Sequence, residues 1–293
     1  MSNLDPIVSA WNLGPLLETQ AIALGIENRN FFVRFEKNPG TRWVLTLRET
    51  PPPAEALRLM TALAGAGLPV PLPRPSGPQG EPFTRTSEGF AWLIPAAPGR
   101  HLEVPSSEAL HNLGEALGRA HLIGAPLPGR SHPRDLPWMK TIAETPAAQP
   151  YRAQLSAALA AQATWHCGAA LPQGLIHGDL FRDNVLFDGV RPSGLIDFDH
   201  TARGPLLFDL AVVALDGIYL AGGPGDGVRA LAEGYESSRR LSSEEAAAWP
   251  KALALAALRF ALARLAVPKK DPAPLLALLE AWGEQAPTWP LGA

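Results

Sequence analysis

The chain has almost no cysteine: Cys167 is the one example in 293 residues. No internal disulfide can form, so a disulfide-stapled scaffold is excluded, and a reducing compartment fits better than an oxidising one. Cys167 itself reads as a small buried hydrophobe. Excess charge of either sign is also lacking, with 25 Lys and Arg against 28 Asp and Glu and a net charge of -3. No broad basic field exists to recruit nucleic acid or an acidic membrane. The most apolar stretch, 252–267, is shorter than a membrane span and is broken by Arg259 and Arg264, so it reads as a buried or amphipathic helix. The first residues carry Asp5, Pro6 and Pro15 and lack a basic start followed by an apolar run. No signal peptide is read there, and the expected location is the cytoplasm. No internal repeat is visible.

What is present is an ordinary globular composition. With 46% hydrophobic and 18% charged residues, the chain can bury a substantial core as one large domain or two lobes. Strands are expected at 18–24, 31–35 and 42–48, with a turn at Asn38-Pro39-Gly40. Pro53 opens a helix over 54–64 that Gly65 and Gly67 end. Two short strands follow at 83–86 and 90–94. A break rich in Pro, Ala and Gly then spans 95–99. Beyond it, Ser106 or Ser107 caps a helix through Leu110, Leu113, Leu117 and His121. A Pro-rich loop covers 126–137. Further helices are expected at 151–167, 208–220, 227–237, 244–266 and 274–282, and short strands near 175–176, 185–187 and 195–196. The expected fold class is α+β. Residues 1–94 would form a sheet lobe, 95–99 a hinge and 100–293 a helical lobe, with a small-molecule cleft between the lobes.

The chemistry is concentrated in Ile176-His177-Gly178-Asp179-Leu180-Phe181-Arg182-Asp183-Asn184-Val185-Leu186-Phe187, followed by Leu195-Ile196-Asp197-Phe198-Asp199. Asp179 and Asn184 stand five positions apart, and Asp197 follows after an apolar run. Protein kinases place a catalytic Asp, an Asn and a metal-binding Asp in that order. A carboxylate that positions a hydroxyl and accepts its proton suits Asp179. An amide oxygen from Asn184 and a carboxylate from Asp197 suit Mg2+, which prefers oxygen ligands. Asp183 and Asp199 are further acidic candidates. His177 is read as a structural hydrogen-bonding residue. Asp209, in the downstream Leu-Phe-Asp-Leu run, is read as a helix-borne brace for the catalytic loop. The turn at 25–30 has a single glycine, so it is neither a P-loop nor a dinucleotide fingerprint. Beside the motif it reads as a loop over phosphates, and backbone groups near Leu93 to Ala96 as a place for an adenine edge.

These residues resemble the aminoglycoside and choline kinase-like phosphotransferases. The match lies in 176–187, 196–200 and 204–212. Three further segments are similar to the homoserine kinase branch of that family: Gly25-Ile26-Glu27-Asn28-Arg29-Asn30-Phe31-Phe32-Val33, Trp43 to Glu49, and Ala257 to Leu265. The resemblance implies a protein kinase-like bilobal fold, ATP as phosphoryl donor and L-homoserine as acceptor. It implies Asp179 as catalytic base and Asn184 and Asp197 as Mg2+ ligands. Gly25, Ile26, Asn28, Asn30, Thr46, Leu93, Ile94 and Ala96 fall on the nucleotide side. Thr46 stands where many kinases carry a strand lysine, and homoserine kinases of this type share that Thr. Arg48 is expected to be a solvated strand charge. An amino-acid acceptor needs a cation for its carboxylate and an anion for its ammonium. Arg259 or Arg264 suits the first and Asp199 or Asp216 the second, with at most one of the two arginines pointing into the cleft. A kinase for another hydroxyl acceptor (an amino alcohol, a sugar or an aminoglycoside) and a nucleotide-binding pseudokinase are the alternatives.

Overall fold

The computed structural model describes residues 4–22, 28–166, 171–284 and 287–291. Gly25, Ile26 and Cys167 lie outside the described residues. The first half is an antiparallel five-stranded sheet in the order β1-β2-β3-β5-β4. Its strands are β1 (Leu16–Ile22), β2 (Arg29–Phe35), β3 (Asn38–Arg48), β4 (Thr84–Thr86) and β5 (Gly89–Pro95).

Side chains alternate across a strand, and the sheet shows the consequence. Trp43, Leu45 and Leu47 of β3 join Val33, Phe35, Ala91 and Leu93 in one buried cluster. The cluster is closed by Leu4, Val8, Trp11 and Leu13 of the N-terminal segment, which includes the short helix α1 (Asp5–Val8). Thr46 and Arg48 therefore lie on the opposite face. The expected turn at Asn38-Pro39-Gly40 is displaced. Phe35 pairs with Asn38, so the chain reverses at Glu36 and Lys37, and Pro39 and Gly40 belong to β3. The reason is non-local: the Glu36 and Lys37 amides donate to the carbonyls of Pro15 and Leu13 at 3.1 Å each, which anchors the reversal there.

The helix α2 (Ala54–Gly65) packs Ala56, Leu59, Met60 and Leu63 into the main core. The helical half follows: α3 (Ser107–Gly124), α4 (Leu136–Ala143), α5 (Arg152–His166), α6 (Leu206–Ala214), α7 (Gly227–Ser238), α8 (Ser243–Leu265) and α9 (Ala273–Glu284). A π-helical turn, Leu215–Leu220, continues α6. Ser106 caps α3, its side chain accepting from the Ala109 amide at 3.2 Å. The close packing of α3 on α7 requires glycine. A Cβ on Gly114 would stand 2.3 Å from the Leu231 carbonyl oxygen, and one on Gly234 would stand 1.9 Å from that of His111.

The helix α4 was not anticipated. Its start is set by Asp135, whose side chain accepts from the Trp138 amide at 3.2 Å. Two small antiparallel ladders carry the motif: β6 (Gln173–Ile176) with β9 (Ala202–Pro205), and β7 (Val185–Asp188) with β8 (Arg191–Leu195). By length and composition α8 could cross a membrane, but most of its apolar window is buried inside the molecule. It is the core helix that the charges within it suggested.

Candidate active site

The strand β6 delivers the chain to His177 and Gly178. Gly178 has φ +81°, and a Cβ there would lie 2.5 Å from the His200 carbonyl oxygen. Only glycine fits such a bend. The loop is held from below by α6. Asp209 accepts from the His177 amide at 2.6 Å and from the Gly178 amide at 2.7 Å. Burial works to raise the Asp209 carboxyl, but the His121 ring bonded to it, His177 and the Gly178 N–H together hold it below its ordinary range. His177 Nε2 donates to the Ile196 carbonyl at 2.9 Å, which ties the loop to the end of β8. The bracing expected of Asp209 and His177 is thus visible in the geometry.

Asn184 ends a single 3-10 turn, Arg182–Asn184. Its Nδ2 donates to the main-chain oxygen of Asp179 at 2.7 Å. That bond leaves the amide oxygen as the group offered to a cation. The Ile196 amide donates to the Asn184 carbonyl at 3.0 Å, which sets Asp197 directly beyond the pair. Asp197 has a left-handed φ of 62° and an exposed side chain. Burial, and then the charges of Asp197 and Asp183, push the Asp179 carboxyl up to about 8. Asp179 is thus a buried carboxyl close to two others, a setting that a bound divalent cation would favour in its charged form. Among the described residues no three His, Cys, Asp or Glu side chains could enclose a metal unaided. Kinase sites complete the shell with phosphate oxygens and water, so the donor set fits.

On the other side of Asp179 stands a cluster that the motif did not reveal. His200 Nε2 is 3.9 Å from Asp179 Oδ2. The His200 and His132 rings lie 5.5 Å apart, and Arg259 Nη2 donates to His132 Nε2 at 2.6 Å. Burial, and then nearby arginine charge, push His132 down to about 2 and His200 down to about 3, so both rings are neutral. His132 comes from the Pro-rich loop, which is pinned by a bridge between Ser131 and Arg203 of β9. Nothing in its local sequence marks it. Arg264 instead points away, donating to the Asp271 carbonyl at 3.2 Å, so one arginine of the two faces the site.

The sheet contributes a second group. Thr46 Oγ1 donates to Asn30 Oδ1 at 2.8 Å across β2 and β3. Arg48 is not the solvated charge expected. It pairs with Asp199 at 2.7 Å, and Asn28 Nδ2 donates to the other Asp199 oxygen at 2.7 Å. The acid that buries Arg48 is far away in sequence, which is why the strand alone misled. Asp216 is likewise engaged: it accepts from the Arg182 amide at 2.7 Å and from Arg182 Nε at 2.9 Å. Around the end of β5, the Ala96 amide donates to the Arg42 carbonyl at 2.9 Å, and the Leu93 carbonyl accepts from the Arg74 amide at 2.7 Å. Ile94 pairs with Val44 in the sheet.

Residues 18–244 match the model of the phosphotransferase enzyme family. The chain belongs to that family. Its relatives include the homoserine kinase of Methylobacillus flagellatus, 38% identical over 88% of this chain and 82% of that protein. The homoserine kinase of Pseudomonas aeruginosa is 37% identical over 90% of this chain and 85% of its own length. In three dimensions the chain is similar to amicoumacin kinase in complex with AMP-PNP, Ca2+ and Ami, with a TM-score of 0.76 at 16% identity over 98% of this chain and 93% of that one. The α+β fold is thus the protein kinase-like one that the motif resemblance implied.

Proposed function

We propose that this protein transfers the γ-phosphoryl group of ATP to the side-chain hydroxyl of L-homoserine, giving O-phospho-L-homoserine and ADP. The observation that carries the reaction is the joining of Asp179, Asn184 and Asp197 through the Asn184 bond to Asp179 and the Ile196 bond to Asn184. The acceptor is supported by likeness to homoserine kinases over most of the chain.

Asp179 orients the acceptor hydroxyl. As the acceptor oxygen bonds to the γ-phosphorus, the bond from phosphorus to the β,γ-bridging oxygen breaks, and ADP leaves with that oxygen. The hydroxyl proton passes to Asp179, whose raised proton affinity suits a base. Asn184 and Asp197 would hold Mg2+. That ion supplies charge neutralisation on the phosphates. Thr46 and Asn30, with Asn28, Gly25 and Ile26, are assigned to the phosphate side, and the segment of Leu93, Ile94 and Ala96 to the adenine. Because the Ala96 amide already has a partner, the adenine would use other backbone groups there. Asp199 is assigned to the acceptor side, where it closes against Arg48. Asp216 is reassigned from substrate contact to support of Arg182. Residues 1–94 and 100–293 act as lobes about a hinge at 95–99.

The experiment is a panel of hydroxyl acceptors (L-homoserine, L-serine, choline, a hexose and an aminoglycoside) scored by ADP release with Mg2+. L-Homoserine should give the highest kcat/KM. Equal or better turnover of another acceptor contradicts the assignment.

A further inference from the structure

We propose that Arg259, oriented by His132, is the subsite for the acceptor's carboxylate, so that the enzyme selects a small hydroxy acid by its negative charge. This rests on the kinase reading above and adds to it the group that recognises the substrate.

Arg259 is only 6% exposed. Its hydrogen bond goes to a neutral imidazole, His132 Nε2, and its Nε is buried without any partner. Among the described residues no carboxylate lies within ion-pair distance of it, and its guanidinium sits instead over the rings of Phe208 at 4.9 Å and Phe260 at 5.8 Å. A buried cation without a paired anion is costly. It persists where a ligand supplies the anion. A second cation, Arg134, adds positive charge beside it.

His132 cannot satisfy both donors aimed at it. The Arg134 amide points at Nδ1 at 2.8 Å while Arg259 points at Nε2 at 2.6 Å. A neutral imidazole has one lone pair to accept with. Whichever of them His132 accepts from, Arg259 keeps donors to spare, among them its buried Nε. Arg259 belongs to the same cluster as Asp179. The chain of contacts from Asp179 runs through His200 and His132 to Arg259. Around Asp179 the acceptor side therefore carries Arg259 and two neutral rings, while Asp199 on that side is already paired with Arg48. A polycationic acceptor would be repelled by that arginine.

The test uses L-homoserine and L-homoserine amide, which keeps the hydroxyl and the ammonium but loses the negative charge. Both are titrated by calorimetry onto the full-length protein and onto R259M, R259K, H132L and H132Q, and both are assayed for turnover with ATP. The wild type should prefer L-homoserine by about a hundredfold or more. R259M should erase that preference through KM, with ATP affinity and the amide changed less than about threefold. Should R259M fail to fold, R259K and H132L carry the test: both should reduce the preference. H132Q, whose amide oxygen accepts from Arg259, should restore it, which a merely structural histidine would not show. Equal binding of the two compounds to the wild type, no binding of L-homoserine, or parallel loss of ATP and L-homoserine in the arginine variants overturns the subsite. Turnover without carboxylate dependence overturns the subsite and leaves the kinase reading. Carboxylate-dependent binding without turnover does the reverse.

Discussion

Arg48 of the sheet and Asp199 of the catalytic segment, 151 positions apart, meet at 2.7 Å with side chains only 7% and 11% exposed. This pair joins the sheet to the loop that carries Asp197. A buried pair contributes little over an apolar substitute, but breaking it strands a charge. R48M should therefore destabilise the protein by about 3 kcal/mol, and R48M/D199N should recover part of that loss. A double-mutant cycle by urea unfolding measures the coupling. Simple additivity would show that the two side chains do not interact.

Asp179 links activity to pH stability. Its folded carboxyl is raised to about 8 from a reference of 3.8. The folded state thus holds the proton more tightly than the unfolded state does. The resulting stability is complete below the unfolded value and is lost as pH rises through about 8. D179N removes the ionisation. Without metal or nucleotide, D179N should melt above the wild type at pH 8, and the gap should narrow towards pH 5. In the same variant kcat should fall by about a thousandfold or more. Thermal melts across pH and steady-state assays check the two halves.

Asp209 braces two consecutive amides of the catalytic loop with its two oxygens. Asparagine accepts with only one. D209N should lower kcat by about tenfold to a hundredfold through misplacement of Asp179, while KM for ATP changes little. A KM effect as large as the kcat effect would contradict a bracing role confined to the loop.

Gly114 tests the packing of α3 on α7. Its added Cβ would lie 2.3 Å from a backbone oxygen, so the helices must separate. G114A should cost about 2 kcal/mol by denaturant unfolding, with kcat per folded molecule unchanged.

The legible parts of the site are those written locally. Asp179, Asn184 and Asp197 fall within one short stretch, and their order is what the kinase resemblance rests on. The brace by Asp209 was readable because it follows on the next helix. The partners of the flanking groups were not. Arg48 reads as exposed until Asp199 arrives from another part of the chain, Asp216 looks available until Arg182 covers it, and His132 sits in a loop whose prolines signal only irregular backbone. The fold shows the same division. The sheet alternation and the long helices follow from periodicity. The reversal at Glu36 and Lys37 depends on Leu13 and Pro15, and β9 is defined by distant partners, β6 and the bridge from Ser131.

The most direct measurement is 31P NMR of the purified protein with ATP, Mg2+ and L-homoserine. A phosphomonoester signal should grow at the rate at which ADP appears, and D179N should give neither. Growth of ADP with inorganic phosphate but no phosphomonoester, or no change at all in the wild type, would contradict phosphoryl transfer to L-homoserine.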